Sequence, residues 1–62
     1  MKGNICTYFM LDDKIVNQNY LYQLPVEGQE VIYFKRSYRV KKVVFDLDGD
    51  NHIVHLERIE AA

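Results

Sequence analysis

The sequence predicts an all-β chain folded as a small antiparallel barrel of about five strands. Three observations lead there. The composition is rich in strand formers, with five Tyr, three Phe and many Val and Ile among 62 residues. Turn signals recur at short intervals: Asp12-Asp13, Pro25 to Gly28, Lys35 to Ser37 and Asp48-Gly49. The apolar runs between them have the length of strands rather than helices. Five short strands joined by tight turns read as an antiparallel meander, and curling it into a barrel is the economical way for so short a chain to bury it.

Residues 4–11, "NICTYFML", are an apolar run bounded by Gly3 and the Asp12-Asp13 turn, and read as the first strand. Residues 15–23 admit two readings. As a strand they place Val16, Tyr20, Tyr22 and Leu24 on one face. As a helix begun at Asp12 or Asp13 they would stack Val16, Tyr20 and Leu24. The strand is preferred because Asn17, Asn19 and the tyrosines are poor helix formers. "LPVEGQ" is a turn in which Pro25 fixes φ and Gly28 can take a positive one. A strand over 30–34, a reversal at 35–37 and a longer strand over 38–46 follow. In the last, Tyr38, Val40 and Val44 share one face while Val43 and Phe45 lie on the other. That switch predicts a bulge near Lys42. An Asp-Gly turn at 47–51 leads to a final strand over 52–59.

The succession "LPVEGQEVIYFKRSYRVKKVVFD" and "HIVHLERI", over residues 24–59, resembles the pattern of small SH3-like barrels. There a Pro-x-x-Gly turn precedes a short strand, and a Tyr-x-Val strand, a hairpin and an aliphatic strand follow. The resemblance implies the barrel and no activity. Members that bind proline-rich peptides use a Trp on the binding face, and this chain has none.

Length and charge bound the rest. Residues 1–62 form one domain. A chain of this size buries only about 60 % of its unfolded surface, and such a core rarely supplies more than roughly 3–5 kcal/mol net. Cys6 is the only cysteine, so no disulfide within the chain can add to it. Self-association or a partner is the natural supplement. With 48 % hydrophobic residues and a net charge of −1, the chain is not of disordered composition. No run reaches the roughly 20 apolar residues of a membrane span. A lone Cys, and an N-terminus unlike a signal peptide, point to the cytoplasm.

Four constellations carry chemical expectations. "DLDGDNHIVHLE", residues 46–57, spaces Asp46, Asp48, Asp50 and Glu57 as in a helix–loop–helix calcium loop. Position six is Asn51 instead of Gly, and the flanks read as strands. On a strand, Glu57 would stand roughly 16 Å from the turn. The stretch is therefore expected to be an acidic hairpin turn, with no metal. Second, "YFKRSYRVKK" gathers Lys35, Arg36, Arg39, Lys41 and Lys42 among Tyr33, Phe34 and Tyr38. Cations for phosphates and rings for bases are the ingredients of single-stranded nucleic-acid binding, and also of a basic protein-facing patch. Third, Tyr20 and Tyr22 would share a face and offer aromatic contact surface. Fourth, residues 46–60 hold five acids against one Arg, so the last hairpin has a basic and an acidic end that could pair in self-association. His52 and His55 would face opposite ways, and Cys6 is expected to be a small buried side chain. No nucleophile–base arrangement or phosphate-cradling Gly loop appears, so no catalysis and no cofactor are expected.

The sequence reading is thus a non-enzymatic interaction protein that binds or masks a protein partner. Short chains of this kind are frequent in phages and mobile elements, where they act as inhibitors or accessory factors. The partner-binding residues are Tyr20, Tyr22, Tyr33, Lys35, Arg36, Tyr38, Arg39, Lys41 and Lys42. A homo-oligomer is compatible with this reading. Single-stranded nucleic-acid binding through residues 33–42 is the alternative.

Overall fold

The structure, a computed structural model, describes residues 3–59. Five strands follow one another: β1 (Ile5–Leu11), β2 (Lys14–Leu21), β3 (Glu30–Tyr33), β4 (Arg36–Asp46) and β5 (Asn51–Arg58). They form one curled sheet in the order β2-β1-β5-β4-β3, a half-barrel. Among the described residues no helix is long and apolar enough to cross a membrane.

Residues 14–21 are strand, as preferred. The β1–β2 turn is the expected Asp12-Asp13 pair, with φ of 53° and 62°. Both positive values suit a two-residue hairpin whose twist must match its strands, and Asp tolerates the left-handed region better than most residues. The β3–β4 reversal falls at Phe34 and Lys35, φ 49° and 64°, not at 35–37. The same hairpin geometry is met there by residues that do not favour it. Phe34 thereby leaves the strand and becomes the tip. Gly28 needs its freedom at φ 88°. Its N–H donates to the Val40 carbonyl at 2.8 Å, and the Val40 N–H donates to the Gln29 carbonyl at 2.8 Å. The turn is thus tied to the start of the β3–β4 ladder.

The sheet is mixed and not fully antiparallel. β3, β4 and β5 form the expected meander, and β1 pairs with β2 as a hairpin. The two parts join through a parallel pairing of β1 and β5, with Thr7 opposite His52 and Phe9 opposite Val54. The reason is burial. β5 carries the buried Val54 and Leu56, and pairing on both edges makes it the centre of the sheet. Residues 22–29 then carry the chain from one outer strand, β2, to the other, β3.

The expected bulge is present. The β4–β5 register shifts between Val40 and Lys42, with Lys41 as the extra residue. Val40 faces Leu56 before it and Val43 faces Val54 after it, so apolar residues of both parities reach the core. A second shift, opposite Phe9 and Met10, makes Val16 the extra residue of β2. The core consists of Tyr38, Val40, Val54 and Leu56, with Phe9, Leu11, Val31, Tyr33 and Val43 packed against it. Buried Thr7 donates its hydroxyl to the Ile5 carbonyl at 3.0 Å, so its polar atom is satisfied. Gly3 sits where nothing larger fits: a Cβ there would lie 2.1 Å from the Leu21 carbonyl group.

Candidate partner-binding surface

The half-barrel is open along one side. β2 and β3 are its two outer strands, and each pairs with a neighbour on one edge alone. Following the strand directions through the sheet, β2 and β3 run antiparallel to each other across the opening. Their near ends are joined where the Tyr33 hydroxyl donates to the Val16 carbonyl at 2.8 Å. A tyrosine side chain and one hydrogen bond reach across no more than about two inter-strand spacings, about 9.6 Å. The seam is lined by Phe9, Val16, Asn17, Asn19, Val31 and Tyr33, and its cavity holds about 220 Å³. That falls below the roughly 300–1,000 Å³ of small-molecule sites and suits side chains or a strand.

Large apolar side chains stand exposed beside the seam. Ile32 on β3 is 74 % exposed and Phe34 at the hairpin tip 81 %. Ile15, Tyr20 and Tyr22 are exposed on and just after β2. The Phe34 ring is supported from beneath by Tyr33, with centroids 4.5 Å apart.

The sequence-derived site residues divide sharply. Tyr20 and Tyr22 are at the surface as expected. Tyr38 is not: it is 8 % exposed and belongs to the core, so it is neither a stacking platform nor a contact residue. It faces Val31 across the β3–β4 pair, and its inward parity with Val40 fixes this. Tyr33 is half-buried against the core and spends its hydroxyl on Val16. Lys35 and Arg36 are exposed at the tip. Arg39 stands directly between Glu30 on β3 and Glu57 on β5, so its charge is balanced across the strands. Lys41 occupies the bulge, and Lys42 lies opposite His55 on the convex face. The run of basic residues therefore does not fold into one basic stripe.

At the end of β5, Arg58 holds Asp12 of the β1–β2 turn at 2.5 Å. Hydrogen bonding to that carboxylate, and then its charge, push the Arg58 guanidinium above its ordinary value.

The acidic stretch is a turn. Asp46 Oδ1 accepts the backbone N–H groups of Asp48, at 3.1 Å, and Gly49, at 3.3 Å. Glu57 is six positions beyond Asn51 on an unbroken strand and pairs with Arg39, so it cannot close a loop around Asp46. His52 packs its ring on Phe45, 4.9 Å between centroids, on the face opposite His55. Cys6 is half-buried rather than buried, opposite Tyr20 on the convex face.

Ile32 and Phe34 were not among the expected contact residues. Their exposure follows from the turn position, one residue earlier than the Lys-Arg-Ser triplet suggests. A two-residue loop between "EVIY" and "RSYRV" is the signal that would have shown it. Comparison with known proteins adds no family: no family model, curated protein or solved structure matches the chain.

Proposed function

We propose that the protein is a small non-enzymatic interaction factor that binds or masks a protein partner along the open side of its half-barrel. One observation carries the reading. The sheet ends in two outer strands that face each other across an apolar seam, and Ile32, Phe34, Ile15, Tyr20 and Tyr22 are exposed on or beside those strands. Outer strand edges are templates for pairing with another chain, and strand addition is a common mode of protein recognition. Lys35 and Arg36 at the tip supply charge for orientation. By analogy with short phage- and mobile-element-encoded chains, the role is that of an inhibitor or accessory factor in the cytoplasm.

The test is lysine cross-linking of the protein purified from its own host at low salt, followed by mass spectrometry. Lys14 opens β2 and Lys35 lies two residues after Tyr33, so both flank the seam. Partner cross-links should fall on these two. Cross-links confined to Lys41 and Lys42, on the bulge and the convex face, would overturn the proposal. An association that nuclease removes and that weakens steeply with salt would replace the protein partner by nucleic acid.

A further inference from the structure

We infer that Asp48 is a self-modification site. In the folded turn its side-chain carboxyl closes on the Gly49 nitrogen to a succinimide ring, with Asp46 as the base, and water then opens the ring to an isoaspartyl linkage. The event happens once per chain, without turnover, and goes beyond the partner-binding reading.

The sequence offers this chemistry at one place. Gly49 is the only glycine that follows an aspartate; Gly3 follows Lys2 and Gly28 follows Glu27. A glycine nitrogen has no Cβ of its own residue to shield it. Asp46 precedes Leu47 and Asp50 precedes Asn51, whose side chains crowd the attacking nitrogen. Residues 47–50 are the exposed loop between β4 and β5, so water reaches the ring that forms.

The turn prepares the reaction. Asp46 Oδ1 accepts the Gly49 N–H at 3.3 Å and the Asp48 N–H at 3.1 Å. It stands on the proton that the attacking nitrogen must lose. The bond to Gly49 is long, as bonds to a general base are before the reacting groups draw together. Asp46 is itself fixed by its cross-strand pairing with Asn51. On the other side, the Gly49 carbonyl accepts from Asn51 Nδ2 at 3.3 Å. A Cβ at Gly49 would lie 2.6 Å from that Nδ2 and 3.0 Å from Asp46 Oδ2. The glycine is therefore held between two side chains with its nitrogen at the base. Such fixed placement replaces a search by the unfolded chain.

The step balances without a co-reactant. The Gly49 nitrogen bonds to Cγ of Asp48 in its acid form. Its proton passes to Asp46 and on to the departing hydroxyl, which leaves as water. Hydrolysis at Cγ restores aspartate. Hydrolysis at the Asp48 α-carbonyl routes the chain through the side chain and adds one backbone atom between the two N–H groups that Asp46 holds. Nothing is oxidised or reduced.

The experiment incubates the full chain at neutral pH in heavy-oxygen water: folded wild type, folded Asp46→Asn, and wild type unfolded in guanidinium. Trypsin then releases residues 43–58, in which Asp46 and Asp50 serve as internal controls. Electron-based fragmentation places the isoaspartate and the heavy oxygen. Folded wild type should gain both at Asp48, with the control positions unchanged. Asp46→Asn keeps an acceptor oxygen but no base, and it and the unfolded chain should each react slower by about tenfold or more. Circular dichroism checks that Asp46→Asn is folded; if it is not, the comparison of folded with unfolded wild type decides. A turn that only restrained Asp48 would give the opposite order, because loosening it would speed the reaction. That order would overturn the inference, as would a folded wild type that forms no isoaspartate at Asp48.

Discussion

The Tyr33 hydroxyl donates to the Val16 carbonyl at 2.8 Å, and that bond ties together the two outer strands of the half-barrel. It marks the narrow end of the seam. Beyond it the strand edges are separate, and the contact surface begins.

Tyr33→Phe removes this bond and keeps the ring against Tyr38 and Phe34. The expected loss is about 1 kcal/mol, the usual net value of one intramolecular hydrogen bond. Urea unfolding should show a lower midpoint at an unchanged slope.

Lys35→Gly should stabilise the protein. Lys35 holds φ 64° at the second position of the turn, where glycine bears no steric cost, and its side chain is exposed. A gain of about 1 kcal/mol should raise the thermal midpoint by roughly 4–8 °C. A lowered midpoint would mean that the lysine makes a contact more valuable than the relief of strain.

Gly3→Ala tests a close backbone approach between the segment before β1 and the end of β2. The added Cβ would lie 2.1 Å from the Leu21 carbonyl, so the segment before β1 must lift from the end of β2. We expect a loss of about 1–3 kcal/mol, as for other overpacked sites, and faster amide exchange in Ile5 and Cys6.

Leu56→Ala should be close to unfolding. Leu56 is one of four buried apolar side chains among the described residues, and such truncations cost about 2–5 kcal/mol. The whole core is worth a similar amount at this size. Circular dichroism at 25 °C should show a largely unfolded chain.

Arg36→Glu and Arg39→Glu should part company. Arg36 stands at the exposed tip, and its reversal should weaken partner binding with the fold intact. Arg39 lies between Glu30 and Glu57, so its reversal sets three acids in a row across three strands. Its cost should fall on stability, about 1 kcal/mol, read by thermal unfolding.

Local features were legible in the sequence. Asp12-Asp13 marks its turn by residue type, and the parity switch between Val40 and Val43 places the bulge within one residue. Asn17 and Asn19 argue rightly against a helix. The β3–β4 turn was misplaced because Phe34 looks like a strand residue and Arg-Ser like a turn. The backbone needed two positive-φ positions, and the register of Val31 with Tyr38 decided which residues took them. The parallel pairing of β1 with β5 has no local signal at all. It is a property of the assembled sheet, in which β5 is paired on both edges. The same holds for the site. Basic residues that are neighbours along β4 are dispersed by their cross-strand partners, and the exposed pair Ile32 and Phe34 emerges only once the hairpin tip is fixed.

The β1–β5 pairing also governs how the chain folds as it is made. Thr7 meets His52 across 45 positions, from 52 − 7, in a chain of 62 residues. Contacts so distant in sequence close late and slowly. Until the ribosome releases β5, the early β1–β2 hairpin has no sheet to join, and its uncharged outer strand is offered to whatever is nearest. On a crowded polysome the nearest strand of matching sequence belongs to a sister chain.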